Sequence, residues 1–295
     1  MDDSNTNVLK LTLSNSIISF LVNSLLIVLN SIEIQILRRK ANKHLYEKIL
    51  LSLTTCDLVI GIIGFLSSII ANAMNSKYAT ILNMNIWLYG SFYLQATSML
   101  HLIIISLDRL WAVKAPLHHR IHVSGKKVTT AIALPWVIPT ILILVNIALN
   151  IVQRMTAEEI YSYLVTTMCS MAAKVVLLAD IVFLSSYGAI TWTMIRNKRK
   201  APHATNASQK TFAKTVALCF GITLVFILFT TPFVIVYLTI WDRPRWARRL
   251  CTSLMNLNPV FNSLVYLIQT YRVRKLNTVV RDSRNELVTS ENTRL

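Results

Sequence analysis

Charged residues are scarce in this chain. They make up 15% of its 295 residues, against about 25% in typical soluble domains. Hydrophobic residues make up 54%, and the mean hydropathy is +0.52. This balance excludes an ordinary soluble domain and favours a membrane protein. The first ten residues also lack the basic segment and cleavage site of a secretory signal peptide, so the first apolar run is expected to act as an uncleaved insertion signal.

Cysteines and catalytic groupings are also scarce. All four cysteines fall inside or near the ends of apolar runs, which is typical of buried free thiols. A Cys169–Cys251 bridge is the alternative, although the spacing gives it no support. We find no nucleophile–base pair and no metal-binding set, so the chain is not expected to be an enzyme. His118, His119 and His122 have no acidic neighbour in the sequence and are interpreted as part of a basic cytoplasmic loop.

Long apolar runs occupy most of the chain. A membrane-spanning helix needs roughly 20 mostly apolar residues, because lipid offers no partners to free backbone groups. Seven runs meet this requirement: Ile17–Leu37, Ile49–Ala73, Met84–Trp111, Val128–Ile151, Tyr163–Ile195, Phe212–Trp241 and Trp246–Gln269. We therefore predict an all-α membrane protein with a single domain over residues 1–295, built as a bundle of seven transmembrane helices.

The basic residues follow the expected topology. If residues 1–13 lie outside the cell, 22 of the 30 Lys and Arg residues fall in cytoplasmic segments. Positive residues are retained on the cytoplasmic side, where they also meet anionic lipid head groups. Because topology explains the net charge of +17, we expect membrane lipids and not nucleic acid as the partner of these charges.

Several polar side chains lie within the apolar runs, where they are costly and usually face the bundle interior. They are Asn30, Glu33, Asp57, Ser98, Asn258 and Asn262. Two interpretations remain open from the residues alone. An ionised Asp57 among amide and hydroxyl oxygens could hold a small cation, or the group could be a hydrogen-bond cluster that locks helices together.

Six short motifs occur in order along the spans: "NSIEIQILRR", "LLSLTTCDLVIG", "SLDRLWAVKAPLHHR", "ALPWVIP", "FILFTTPF" and "LNPVFNSLVY". Together they resemble the rhodopsin-like (class A) family of G-protein-coupled receptors, with a weak likeness to its melanocortin, lysophospholipid and cannabinoid branch. The resemblance implies a plasma-membrane receptor that binds an extracellular ligand. It also implies activation of a heterotrimeric G protein when the cytoplasmic ends of the helices open. The alternatives are a transporter or channel, or a receptor homologue that does not signal.

The resemblance assigns roles to individual residues. Asp108 and Arg109 match the family's Asp-Arg-Tyr triplet, in which the acid holds the arginine until a G protein binds. Leu117 matches a loop residue that contacts the G protein, and Tyr187 and Tyr266 match two tyrosines that move on activation. The family's sodium site falls at Asp57, Ser98, Asn258 and Asn262, next to the conserved first-helix position Asn30. The resemblance implies no other cofactor.

The resemblance also assigns hinge roles to two prolines and an eighth helix to the C-terminal segment. Pro232 matches the hinge of the sixth helix, whereas the seventh-helix proline is displaced to Pro259. Residues 270–295 are expected to hold a short amphipathic eighth helix, at Tyr271–Arg281, and a cytoplasmic tail. The family's sixth-helix acid falls at Phe212 between Lys210 and Lys214, so we expect raised ligand-free signalling.

The ligand pocket departs from several known types. Ser91 stands where amine receptors carry an aspartate, so a monoamine ligand is not expected. The seventh run has no lysine for a retinal Schiff base. Lys174, Thr230 and Phe233 are the other candidate pocket residues. Four arginines in the outer loop "WDRPRWARR" suit the carboxylate or phosphate of an anionic ligand, either a peptide or a lipid. The alternative is a loop that is merely solvated, as charge runs usually are.

Overall fold

Helices account for almost all of the structure. The computed structural model of the chain describes residues 2–39, 45–73, 77–122, 125–200, 207–239, 247, 250–251 and 253–271. The helices are α1 (Asp2–Arg38), α2 (Leu45–Ala73), α3 (Lys77–Lys114), α4 (Pro116–His122), α5 (Gly125–Val152), α6 (Ala157–Tyr163), α7 (Cys169–Lys200) and α8 (Ala207–Thr239). A π-helical turn, Leu164–Met168, joins α6 to α7. Residues 253–271 form a further helix, α9.

Six helical segments in the described part of the chain are long and apolar enough to cross a membrane. They are Ile17–Arg38, Leu45–Ile70, Thr80–Lys114, Gly125–Val152, Ala157–Asn197 and Ala213–Thr239. Helix α9 falls outside this set because Asn256, Asn258 and Asn262 lower its hydropathy. It still coincides with the seventh predicted run, so the all-α membrane fold is confirmed.

Several helices begin earlier than predicted, and one short helix was not predicted. Helix α1 begins at Asp2, within the segment expected to be an N-terminal tail. The fifth span begins at Ala157 and not Tyr163, because Thr156 and Glu159 form a capping box that starts the helix early. The short helix α4 was not predicted, and Pro116 at its first position suits a helix start. Beyond Tyr271, the expected eighth helix lies outside the described residues.

Helix α3 lies at the centre of the bundle, where it contacts α2, α4, α5, α6, α7 and α8. The main apolar core is built from several helices and includes Leu37, Leu53, Leu102, Phe183 and Phe226, all at most 1% exposed. Many other large apolar side chains are exposed on the outer faces of the helices. Such faces suit a lipid environment, where leucine and lipid tails are equally apolar.

Two glycines allow α1 and α2 to approach closely. A Cβ atom on Gly61 would lie 2.4 Å from Leu26 Cδ2, and one on Gly64 would lie 2.5 Å from Asn23 Oδ1. Neither position has room for a side chain, because Leu26 and Asn23 are themselves buried. This contact fixes α1 against the helix that carries Asp57.

Candidate functional site

The acid–arginine pair lies buried near the end of α3. Asp108 is 7% exposed and Arg109 is 5% exposed. Arg109 donates from Nε to Asp108 Oδ2 over 3.0 Å, and its Nη2 group donates to the same oxygen. Bonds between two ionised groups are stronger than neutral ones. The pairing leaves the second carboxylate oxygen of Asp108 free for another donor.

That second oxygen binds a histidine of α4. His119 Nε2 lies 2.7 Å from Asp108 Oδ1, and a carboxylate oxygen there can only accept. The expectation that the loop histidines have no acidic partner is therefore wrong for His119. Helix α4 folds back along α3, and the Trp111 ring packs edge-on against both His118 and His119.

Arg109 is also held from the side of α2. Its guanidinium carbon lies 4.7 Å from the centre of the Tyr46 ring, within cation–π range. Phe212, the position of the family's sixth-helix acid, lies outside the described side chains. Among the described groups, Asp108 and Tyr46 thus restrain Arg109. The predicted G-protein contact Leu117, on the neighbouring helix α4, is 78% exposed.

The two candidate switch tyrosines belong to the same apolar core. Tyr187 is 5% exposed and Tyr266 is 2% exposed. The Tyr187 hydroxyl lies 3.4 Å from Thr223 Oγ1, and its ring packs against Phe220 with centroids 5.2 Å apart. Both tyrosines therefore lie below the surface of the bundle, and Tyr187 joins α7 to α8.

The polar core brings most of the predicted cation-site residues together. Ser98 donates to Asp57 Oδ1 over 2.9 Å, and Asn262 lies beside the same carboxylate without an aligned hydrogen bond. Asn258 and Asn262 are 1% and 4% exposed. Neither amide has a hydrogen-bond partner among the described residues. Buried amide oxygens without partners beside a carboxylate are the ligands that a hard cation requires.

Asn30 belongs to a separate cluster. Its Nδ2 donates to the Leu26 carbonyl oxygen over 2.8 Å, and its Oδ1 accepts from Ser263 over 2.8 Å. Glu33 follows one turn later on α1 and is 2% exposed. Ser263 was not singled out from the sequence, although it stands next to Asn262. Asn30 therefore joins α1 to α9 and does not contact Asp57 directly.

A buried histidine joins three helices and was missed in the sequence. His101 Nδ1 lies 2.8 Å from the Thr97 carbonyl oxygen, and its Nε2 lies 2.8 Å from Ser52 Oγ. Ser52 Oγ also accepts from Trp136 Nε1 over 2.9 Å. Because a carbonyl only accepts, Nδ1 carries the proton and a neutral Nε2 accepts from Ser52. Every polar group in this series of hydrogen bonds, from Thr97 O through His101 and Ser52 to Trp136, is satisfied when His101 is neutral. This indicates a structural role for His101.

The four candidate pocket residues lie on three helices, α3, α7 and α8. Lys174, on α7, is exposed, and its place in a ligand pocket stays a prediction. Thr230 is fully buried and donates to its own helix at Phe226 O. Phe233 packs against Tyr237, with ring centroids 4.7 Å apart. Ser91 Oγ is buried without a hydrogen-bond partner among the described residues.

Two hinge candidates lie within helices as expected. Pro232 is inside α8 and Pro259 is inside α9. A proline removes one backbone N–H and leaves the carbonyl four residues earlier without its usual partner. The Cys251 thiol, which precedes α9 in the chain, donates to the Pro232 carbonyl oxygen of α8 over 3.4 Å.

These features define a multi-pass membrane protein of the seven-helix receptor class, with a buried acid–arginine pair and a polar core. A family model, "7 transmembrane receptor (rhodopsin family)", matches residues 22–266. The chain belongs to this family of receptors, as the motifs suggested.

Curated relatives match over shorter segments. The chain is 34% identical over 90 residues to the 5-hydroxytryptamine receptor 2B of Dichotomyctere fluviatilis, which covers 30% of this chain and 19% of that receptor. It is 33% identical over 106 residues to the muscarinic acetylcholine receptor M3 of Sus scrofa and of Bos taurus, covering 35% of this chain and 18% of each. The matches thus span less than one fifth of these receptors' length.

Proposed function

We propose that this chain is a G-protein-coupled receptor of the plasma membrane, with its N-terminus outside the cell. An extracellular ligand shifts a pre-existing equilibrium between a resting and an active bundle. The observation that carries the proposal is the buried Arg109, which is held by two exchangeable side-chain contacts next to the exposed helix α4. Membership of a receptor family favours this interpretation over a transporter or channel.

The contacts of Arg109 describe a resting arrangement. The bonds to Asp108 and the Tyr46 ring keep the guanidinium inside the bundle and turn its five donors away from solvent. When the neighbouring helices separate, the same donors become available to backbone or carboxyl groups of a G protein. Asp108 stays bound to His119, so α4 and its exposed Leu117 keep their place beside the opening.

Guanine-nucleotide exchange on a panel of heterotrimeric G proteins tests the proposal. We expect one or more G proteins to exchange nucleotide faster with the wild-type chain, and Arg109→Ala to abolish this effect at equal surface expression. Arg154→Ala is the matched control, because Arg154 lies in the connection after α5, at the opposite end of the bundle. Equal exchange by wild type and Arg109→Ala would contradict coupling and favour a non-signalling homologue.

A sodium ion in the polar core is the second part of the proposal. Asp57 would supply the charge, and Ser98, Asn258 and Asn262 would supply neutral oxygens. The bound cation would stabilise the resting bundle by neutralising a buried carboxylate. We expect exchange without ligand to fall when sodium replaces potassium at constant ionic strength, and Asp57→Asn to remove this dependence. An unchanged sodium response in Asp57→Asn would count against the site.

The ligand class follows from what the pocket lacks. The relatives' names specify 5-hydroxytryptamine and acetylcholine, but Ser91 is a neutral hydroxyl where amine receptors carry a carboxylate. We therefore propose a ligand other than a monoamine. The four arginines at 243, 245, 248 and 249 lie outside the described residues, and they favour an anionic peptide or lipid.

A further inference from the structure

Glu33 is a second buried acid in the bundle, and the proposed mechanism does not use it. It lies on α1, is 2% exposed and makes no ion pair with any described residue. Among the described residues, the ionisable group in its neighbourhood is Asp57, which is also acidic. An ionised glutamate would therefore be an unpaired charge next to a like charge, which is unfavourable in a membrane interior.

The first contact of Glu33 is with Thr54 on α2. The Thr54 hydroxyl lies 2.9 Å from Glu33 Oε1 and 2.9 Å from the Leu50 carbonyl oxygen. A hydroxyl has one proton, so Thr54 donates to one of these two oxygens. The Leu50 oxygen already accepts a backbone N–H within the helix, so it stays paired when Thr54 donates elsewhere. Thr54 is thus free to donate its proton to Glu33 Oε1.

The second neighbour of the Glu33 carboxyl group is Ser263 on α9, although no hydrogen bond between the two is aligned. Ser263 Oγ lies 2.8 Å from Asn30 Oδ1, while Asn30 Nδ2 donates to the Leu26 carbonyl oxygen. A carbonyl can only accept, so the Asn30 amide is fixed with its NH₂ group towards Leu26 and its oxygen towards Ser263. The single Ser263 proton is therefore used on Asn30. Ser263 can meet Glu33 only as an acceptor.

We propose that Glu33 is a proton-binding site: a neutral carboxylic acid that donates its proton to Ser263 and so ties α1 to α9. Each donor is then used once: Thr54 donates to Glu33, Glu33 to Ser263, Ser263 to Asn30, and Asn30 to Leu26 O. An ionised Glu33 would leave the contact with Ser263 without a proton. The proton site therefore completes a continuous set of bonds from α2 through α1 to α9.

The position of this series of hydrogen bonds gives the proton on Glu33 a structural consequence. Ser263 lies directly after Asn262 of the polar core and three residues before Tyr266. A bond from Glu33 to Ser263 fixes α9 between two groups that the proposed activation uses. The site follows from contacts inside the bundle, so it does not depend on whether the chain couples to a G protein.

Infrared spectroscopy of the full chain in lipid nanodiscs tests the proton directly. Protonated carboxylic acids have a C=O stretching band apart from the amide bands, and it shifts in D₂O. We expect the difference spectrum between wild type and Glu33→Gln to contain this band. The Asp57→Asn spectrum, recorded as a control, should retain it. A Glu33→Gln spectrum identical to wild type in this region would overturn the proposal.

Thermal unfolding of the same samples supplies a second readout. Glutamine keeps the shape of a protonated glutamate and can both donate and accept, so Glu33→Gln should unfold close to wild type. Glu33→Leu removes the hydrogen bonds and should lower Tm by roughly 2–4 °C more than Glu33→Gln. A Glu33→Gln chain as unstable as Glu33→Leu would show that the negative charge is needed, which contradicts the neutral acid.

Discussion

Deleting the Tyr89 hydroxyl tests the contacts that hold the end of α3 opposite Asp108. This hydroxyl donates to Asn146 Oδ1 over 3.0 Å and accepts from Asn150 Nδ2, both on α5. Tyr89→Phe removes both bonds and leaves the two amides joined only by their mutual bond of 3.3 Å. Two hydrogen bonds at about 0.5–1 kcal/mol each give a loss of about 1–2 kcal/mol.

The prediction is a lower unfolding temperature. A loss of that size corresponds to a fall in Tm of roughly 2–8 °C, measured by a thermal-shift assay on the purified chain. Tyr161→Phe is the control, because it deletes the hydroxyl of an exposed tyrosine on the adjacent helix α6. A Tyr89→Phe chain no less stable than Tyr161→Phe would refute the reasoning.

Two further substitutions test other contacts. Tyr46→Leu removes the ring that faces Arg109, so ligand-free nucleotide exchange should rise roughly two- to fivefold for a contact of about 0.5–1 kcal/mol. Tyr46→Phe keeps the ring and should change exchange little; equal effects of both changes would contradict the cation–π contact. Gly61→Ala places a methyl group 2.4 Å from Leu26 Cδ2 and should destabilise the chain by about 1–3 kcal/mol. Gly188→Ala, in open space, should be neutral or stabilising in thermal unfolding, and a similar loss at both sites would contradict the packing argument.

Another bond at the Tyr89 end of α3 could not be predicted from the sequence. The sequence has no cysteine between Cys56 and Cys169, so no disulfide from this end of α3 is expected. The structure places a hydrogen bond of 2.8 Å from Asn85 Nδ2 to the Ala157 carbonyl oxygen instead. Nothing in the spacing of Asn85 and Ala157 indicates this bond, because it depends on how α3 and α6 rotate against each other.

The seven helices were predictable because each depends on a local property. An apolar run of sufficient length must form a helix in lipid, whatever its neighbours are. The contact between Asp108 and Arg109 was expected from the family's triplet, because adjacent residues on a helix do not face each other by geometry alone. The capping box of Thr156 and Glu159 is equally local, and a search for that pattern finds the early start of the fifth span.

Contacts between distant helices were not predictable in the same way. Glu33 is separated by 21 residues from Thr54, and Asn30 by 233 residues from Ser263. Serine and threonine inside helices often bond to their own backbone four residues earlier, as Thr55 does here. The sequence alone therefore cannot separate a hydroxyl that joins two helices from one that does not. Lys174 shows the reverse case, in which a charged residue within a span is exposed.

The distribution of these contacts favours α8 as the helix that moves in the proposed activation. Helix α3 is hydrogen-bonded to its neighbours at three levels: Tyr89 to α5, His101 to α2 and Asp108 to α4. Four threonines of α8, at positions 223, 230, 231 and 239, donate to their own backbone. The polar bonds from α8 to other segments include Thr223 with Tyr187 at 3.4 Å, Cys251 with Pro232 O at 3.4 Å, and Gln269 with Lys214 O at 3.0 Å. Helix α8 is therefore held mainly by apolar packing, which is non-directional and lets a helix shift without leaving buried polar groups unpaired.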